Sequence, residues 1–437
     1  MVHSLKRHFL LLTMFLSYGI GIGQSTQLRS AVDLNDADAI KKSNIPTFTL
    51  SNNITVPMIG LGTASGVRYL SVRSAIELGY RFVDTAQSHS WGYHEEEVGQ
   101  ALYEVKRRYE DDNHNEFVFV QTKIHPQDLG YDATKKALQL SLDRLRVTSL
   151  DSVLIHKPRC WDEVCSHEPE GTWEDSWDAL QEAVDSGLVR SIGICDVDNR
   201  LLDKLLTKRI TPMIIQNWFD PFHQDKAVRQ RIESINREQD KHGRANKKIL
   251  YQGYSTLGSQ WKHQGYADNP VMTNQLLLSI AEKYHVSIPQ VVIQWANRRG
   301  VMVLPASKSP SHQQSNLLKS HDFTLTEEEM ISIDSLDGKP PQHLRKERDI
   351  SEVDIQFTNQ ADGSVHVFWV DSSDEHVHVG NMDEKGSTLQ LTTYHGHSFV
   401  FKKSGADEGG TLLHRHTVNK SLGPKQRHEI KDRGEEL

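Results

Sequence analysis

Cysteine is scarce in this chain: 3 residues in 437, too few for a disulfide framework to stand in for a hydrophobic core. Positive charge is in deficit too. Lys and Arg number 50 against 58 Asp and Glu, a formal net charge of −8, which removes the basic face that a general nucleic-acid partner demands. Glycine, at 28, and proline, at 14, are ordinary, so collagen-like and low-complexity classes are excluded. No segment holds the roughly 20 apolar residues that a membrane-spanning helix needs. What is there is a 37% hydrophobic content over a length that suits two or three domains, or an α/β barrel with a smaller companion.

The amino terminus reads as an address. Lys6, Arg7 and His8 precede an apolar stretch from Phe9 to Gly23 that ends Gly21-Ile22-Gly23. A basic head, a short apolar run and a small-x-small exit predict a cleavable secretory signal over residues 1–23, with a retained anchor or a buried helix as the alternatives. The expected location is the secretory pathway, either the endoplasmic-reticulum lumen or the exterior, with no membrane span after cleavage. In that setting Cys160 and Cys165 are either a small-loop disulfide or two free thiols. The sequons Asn53-Ile-Thr and Asn419-Lys-Ser fit the same compartment. The final Gly-Glu-Glu-Leu loosely resembles a retrieval tail.

From residue 46 to 337 short apolar strands alternate with amphipathic helices. Strands are expected at Met58–Leu61, Arg81–Val83, Phe117–Gln121, Ser152–Ile155, Val189–Ile194, Pro212–Ile215, Lys248–Tyr251 and Val301–Leu304. Helix patterns such as Ala133–Leu145 and Thr172–Ser186 lie between them. Eight strands with helical crossovers in about 280 residues predict a parallel (β/α)8 barrel. The rival, a doubly wound sheet, asks for Gly-x-Gly-x-x-Gly after its first strand. Gly60-Leu-Gly62-Thr-Ala-Ser-Gly66 lacks that spacing. The rhythm stops near Gly338, and residues 338–352 read as a linker. Alternating segments at Val353–Thr358, Val365–Val370, Thr388–Tyr394 and Ser398–Phe401 then predict a small all-β sandwich over 353–422, with 423–437 a charged tail without structure.

Catalytic groups of such a barrel sit at the carboxyl ends of strands and in the loops that follow. Asp84, Lys123 and His156 end the second, third and fourth strands, and His89 and Tyr93 lie in the loop after the second. An Asp and a Lys at buried strand ends are costly unless paired. Paired beside a tyrosine hydroxyl, they hold that phenol as a proton donor, and a neighbouring histidine can orient a carbonyl oxygen.

These residues lie within motifs that resemble the aldo-keto reductases. Carriers are Gly60-Leu-Gly62-Thr63, Ala75-Ile-Glu-Leu-Gly-Tyr-Arg-Phe-Val-Asp-Thr-Ala, Glu95-Glu-Glu-Val-Gly-Gln-Ala-Leu and Gln121-Thr-Lys. Leu154-Ile-His-Lys-Pro, Ser186-Gly-Leu-Val-Arg-Ser-Ile-Gly-Ile, Gln216-Asn, Gly253-Tyr-Ser-Thr-Leu-Gly-Ser and Val303-Leu-Pro-Ala-Ser continue the series. The resemblance implies NADP(H)-dependent reduction of a small aldehyde or ketone, with Asp84, Lys123 and His156 in the family's catalytic roles. His89 stands where the family's tyrosine lies, in a loop about three residues longer. That leaves three readings: Tyr93 donates from a shifted position, His89 donates with an imidazole's near-neutral titration, or the barrel binds without turnover. Replacing Lys123 by Met is expected to end reduction while sparing the fold.

By the same resemblance Gly62, Thr63, Asp84, Gln216 and Tyr254 face the nicotinamide end of the cofactor, and Ser255, Leu257, Gly258 and Ser259 form its pyrophosphate loop. Cys195-Asp196 replaces the family's usual Ser-Asn. At the adenosine end Ser307, Lys308 and Asn316 remain, whereas Ala306 and His312 replace cations. NAD(H) is therefore the alternative cofactor.

Phe357-Thr-Asn, Val367-Phe-Trp-Val and Leu391-Thr-Thr-Tyr-His-Gly-His-Ser-Phe-Val-Phe resemble the β domain of the von Hippel–Lindau tumour suppressor. The implied partner is a hydroxyproline-containing peptide, lined by Trp369, Thr393, His397 and Phe399. The pairs His376/His378, His395/His397 and His414/His416 each present two imidazoles on one strand face. No acidic ligand is fixed by their spacing, and no metal is assigned.

Overall fold

The computed structural model describes residues 45–111, 118–160, 164–165, 167–241, 248–344, 352–370, 376–394, 397–403, 411–419, 422 and 425–432. The secretory signal expected at 1–23, His395 and the final four residues fall outside them.

A two-strand hairpin, β1 (Thr47–Thr49) and β2 (Thr55–Pro57), precedes the barrel. The barrel strands are β3 (Leu61–Gly62), β4 (Phe82–Asp84), β5 (Phe119–Ile124), β6 (Ser152–Ile155), β7 (Ile192–Cys195), β8 (Ile214–Trp218), β9 (Leu250–Tyr254) and β10 (Met302–Val303). They form one 8-stranded parallel sheet in chain order. A parallel bridge between Ile59 and Val303 joins its two ends, with Gly60 N donating to Val303 O at 2.9 Å. This is a (β/α)8 fold.

Helices α1 (Tyr69–Glu77), α2 (Glu95–Asp111), α3 (Tyr131–Leu145), α4 (Trp173–Asp185), α5 (Asn199–Leu206) and α6 (Lys226–Lys241) make the crossovers up to β9. Then come α7 (Gln275–Tyr284), α8 (Ile288–Arg298), α9 (Pro310–Leu318) and α10 (Glu327–Asp334). Helix α4 shows how the chain writes them. A Thr172–Asp175 capping box satisfies its first amides, and Trp173, Trp177 and Leu180 repeat on one face that buries against the strands. Among the described residues no helix is long and apolar enough to cross a membrane.

Inward-facing positions two apart change character along each strand, which sets the site. Phe82, Phe119, Leu154, Ile214, Leu250 and Met302 fill the lower barrel with Leu50 and Val56 of the hairpin region. Two residues further along four of these strands come Asp84, Gln121, Gln216 and Gln252, all buried. On β5, β8 and β9 the ladders continue into this polar layer, and these strands end three residues beyond the expected apolar runs.

After Gly338 the chain stays on the barrel: Leu344 packs against its core, and Leu344 O accepts from Ala267 N at 3.0 Å. An all-β region follows, with β11 (Glu352–Asn359), β12 (Val365–Val370), β13 (His376–Met382), β14 (Thr388–Tyr394), β15 (Ser398–Lys403), β16 (Thr411–Thr417) and β17 (Lys425–Ile430). They form a 3-stranded sheet, β14-β11-β17, and a 4-stranded sheet, β13-β12-β15-β16. One buried cluster draws on both, including Val353, Ile355 and Phe357 from the first and Val365, Val367 and Phe401 from the second. The expected structureless tail is corrected here. Lys425–Ile430 pairs in parallel with β11, and its Gln426 and Ile430 are buried. Strands β13 and β16 were also outside the sequence expectation.

Candidate active site

The loop after β4 does the positioning. Thr85 N donates to Gln121 O at 2.8 Å, and Gln87 spans to α3 through Ala137 O and Ser141 Oγ, both at 2.8 Å. A 3-10 turn over His89–Trp91 ends at Gly92, whose φ of 85° is left-handed. A Cβ there would lie 2.8 Å from Ser65 N, so only glycine fits both the conformation and the close approach. Glu95, fully buried, accepts from Thr122 Oγ1 and Ser141 Oγ at 2.5 and 2.7 Å and fixes the start of α2. The turn thus folds Tyr93 back over the strand ends.

Lys123 Nζ donates to Asp84 Oδ2 at 2.7 Å and to Thr85 O at 3.0 Å, and lies 4.8 Å from the centre of the Tyr93 ring. Both charged groups are buried, at 0% and 4% side-chain exposure. Beneath them Asp84 Oδ1 accepts from Gln121 Nε2 at 2.7 Å and Gln216 Nε2 at 3.3 Å, and both glutamines also donate to Gln252 Oε1 at 2.9 Å. Burial works to lower the Lys123 ammonium, but Asp84 and Tyr93 hold it above its usual range. Burial pushes the Tyr93 phenol up to about 12, with Lys123 the main opposing pull.

His156 sits 5.7 Å from the Tyr93 ring and 4.6 Å edge-on from Trp91, its Nδ1 3.1 Å from Ser88 Oγ. Burial, then the charges of Lys123 and Lys157, lower its pKa well below 6.5, so the ring is neutral. His89 is elsewhere. Its side chain is 46% exposed and its Nε2 faces Glu96 at 3.7 Å. Of the two donor candidates, only Tyr93 is brought to Lys123.

Where the resemblance puts the nicotinamide, the structure shows an arrangement that the sequence did not disclose. Asp196 forms an ion pair with Lys157, and its Oδ1 accepts from the Tyr254 hydroxyl at 3.1 Å. Cys195 is buried 3.9 Å from Gln216 Oε1, and burial raises its thiol. Thr63 Oγ1 donates to Asp84 O at 3.0 Å, and a Cβ on Gly62 would lie 2.5 Å from Leu304 O. Ser255 and Gly258 both have positive φ, 54° and 82°, and Ser259 Oγ donates to Ser255 Oγ at 2.9 Å. Leu257 O accepts from Asn269 at 2.7 Å. Ser307, exposed Lys308 and buried Asn316 lie in or before α9, and Lys308 rests against Gly66.

A model described as the aldo/keto reductase family matches residues 67–338. The chain belongs to the aldo/keto reductase family. It is 32% identical over 299 residues to an aldo-keto reductase of Mycolicibacterium vanbaalenii, covering 67% of this chain and 92% of that protein. It is 29% identical to a glyoxal reductase of Bacillus subtilis over 66% of this chain and 92% of that one. A crystal structure of a Bombyx mori aldo-keto reductase in complex with NADP is similar at 26% identity and a TM-score of 0.57, covering 67% of this chain and 93% of the other.

The sequence did not single out Trp91, edge-on to His156, Lys157 in its pair with Asp196, or the Gln121–Gln216–Gln252 network. Lys157 directly follows His156, so its position at the mouth was available. Nothing along the chain links three glutamines on β5, β8 and β9.

In the all-β region Thr393 Oγ1 lies 2.9 Å from His397 Nδ1, and His397 is 5.5 Å from the Trp369 ring. Phe399 does not line an opening. It is 3% exposed and packs 5.5 Å from Phe357 in the shared core. Cys160 and Cys165 are disulfide-bonded, with Cα atoms 6.1 Å apart.

Proposed function

We propose that this aldo/keto reductase family member reduces aldehydes or ketones to alcohols with NADPH, Tyr93 serving as the proton donor. The observation that carries it is Lys123 held between the Asp84 carboxylate, at 2.7 Å, and the Tyr93 ring, at 4.8 Å, beside a neutral His156.

The residues present fit the cofactor. The loop after β9 curls through left-handed Ser255 and Gly258, and the Ser255 and Ser259 hydroxyls meet there at 2.9 Å, polar groups suited to a phosphate. Gln216, Asp196 and Tyr254 would hold the nicotinamide, and Ser307, Lys308 and Asn316 the adenosine phosphate. The one cation left there makes NADH the second candidate. When bound, the cofactor supplies the hydride. Tyr93 gives its hydroxyl proton to the developing alkoxide, Lys123 stabilises the phenolate left behind, and Asp84 keeps Lys123 charged and aimed. Neutral His156, with Nδ1 at Ser88, has Nε2 to orient the carbonyl oxygen. The test is NADPH consumption by the full chain across a panel of aldehydes. Tight NADPH binding with no consumption would make the barrel a binding scaffold.

The Lys157–Asp196 pair yields a sharper expectation. Lys157→Gln leaves a carboxylate beside the nicotinamide pocket without its counter-charge. NADPH should then bind about three- to tenfold more weakly, a modest loss because the pair is partly exposed. Asp196→Asn added to it should restore binding, read by nicotinamide fluorescence. Unchanged affinity in the single variant would separate Asp196 from the cofactor.

For the all-β region the proposal is a β-sandwich that recognises a peptide near the barrel mouth. Support comes from the core shared by its two sheets and from Trp369, whose buried Nε1 has no hydrogen-bond partner beside His397 and Thr393. A separate open cleft of about 760 Å³, which Trp369 does not line, lies between Val400, Lys402, Leu412 and Arg415 of this region and the barrel loop after β6. Export through the secretory pathway is supported by the Cys160–Cys165 disulfide and by Asn53, exposed on a tight turn.

A further inference from the structure

Two histidines and a glutamate converge on the loop that carries Tyr93. His89 Nε2 lies 3.7 Å from Glu96 Oε2, and His94 Nδ1 lies 3.3 Å from Glu96 Oε1. The two imidazole rings meet edge to face at 4.7 Å, and the ligand atoms of all three residues lie within 4.8 Å of one another. Among the described residues this is the group of three His, Cys, Asp or Glu side chains with that convergence.

We propose that His89, His94 and Glu96 form a binding site for Zn²⁺ or a similar transition-metal ion, which clasps the two ends of the Tyr93 loop. The donor set suits the ion: two imidazole nitrogens and one carboxylate, with the fourth position left to water. Tetrahedral bonds of about 2.0–2.1 Å put neighbouring ligand atoms roughly 3.3 Å apart, so spacings that reach 4.8 Å close by up to about 1.5 Å as the ion is taken up. The residues stand on different pieces of the loop. His89 is on the 3-10 turn, His94 lies beyond the Gly92 reversal, and Glu96 is in the first turn of α2, which buried Glu95 anchors. An ion there ties the turn to the helix with Tyr93 between them. Side-chain exposures of 46%, 22% and 48% leave it open to solvent, so an ion can enter without unfolding.

The test is calorimetric titration of the full chain with ZnCl₂, with Co²⁺ as a second probe for its visible d–d absorption. The expected result is one equivalent of high-affinity binding, weakened at least tenfold in each of His89→Gln, His94→Ala and Glu96→Gln. None of the three side chains is buried, so all three variants are compatible with folding, which circular dichroism checks. Absence of stoichiometric binding by the wild type would overturn the proposal. So would binding that all three variants retain, since that assigns the ion to others among the 23 histidines. The readout is binding alone and holds whether or not the barrel turns over.

Discussion

Tyr93→Phe is expected to lower kcat/KM for aldehyde reduction about 10²- to 10⁴-fold, the usual contribution of a positioned general acid. One oxygen is lost and the ring remains, so its packing against His156 and its place over Lys123 persist. NADPH affinity and thermal stability should stay near wild type. His89→Asn should cost less than about threefold, because that ring faces Glu96 rather than Lys123. The pH profile carries the same distinction. With the phenol pushed up to about 12, its acid form dominates at neutral pH, so the rate should hold level there and fall only in strongly alkaline solution. A reversed ranking of the two variants, with a decline through the imidazole range, would make His89 the donor.

Lys123→Met should remove reduction and also weaken the protein. The sequence alone suggested that the fold would be spared. Burial changes that expectation: the variant strands the Asp84 carboxylate, 4% exposed, with two glutamine amides and no counter-charge. Breaking a buried pair from one side costs about 3–5 kcal/mol. Urea unfolding measures this, and Asp84→Asn combined with Lys123→Met should recover part of it. Activity within about tenfold of wild type, or roughly 1.4 kcal/mol in the barrier, would rule out the site.

Much of the barrel was legible because a buried parallel strand and an amphipathic helix leave different apolar periods in the chain. The strand ends were not. An apolar run stops at Val83 or Ile215, while the hydrogen-bonded ladder runs on through Asp84 and Gln216 to the mouth. The residues that carry chemistry are the ones that break the pattern. In the same way Asp84, Lys123 and His156 could be placed by counting strands, but which residue of the longer loop returns to them depends on the Gly92 reversal and the Glu95 anchor. The strands of the all-β region were found where alternation was clean, as in Val365–Val370. They were missed where the chain is charged or rich in histidine, as in Lys425–Ile430, because an edge strand with one wet face carries little hydrophobic signal.

The pairing of β17 with β11 has a consequence for synthesis on the ribosome. The first strand of the all-β region waits for the last, so its 3-stranded sheet cannot be complete until Ile430 has emerged. The barrel's own elements end at Asp334. About 100 residues lie between those points, or roughly 5–20 s of elongation at about 5–20 residues per second. The barrel can therefore settle as a nascent chain while β11 is still an open edge, and a message truncated before codon 425 would release a folded barrel followed by a sheet in which β11 pairs with β14 alone and leaves its other edge open.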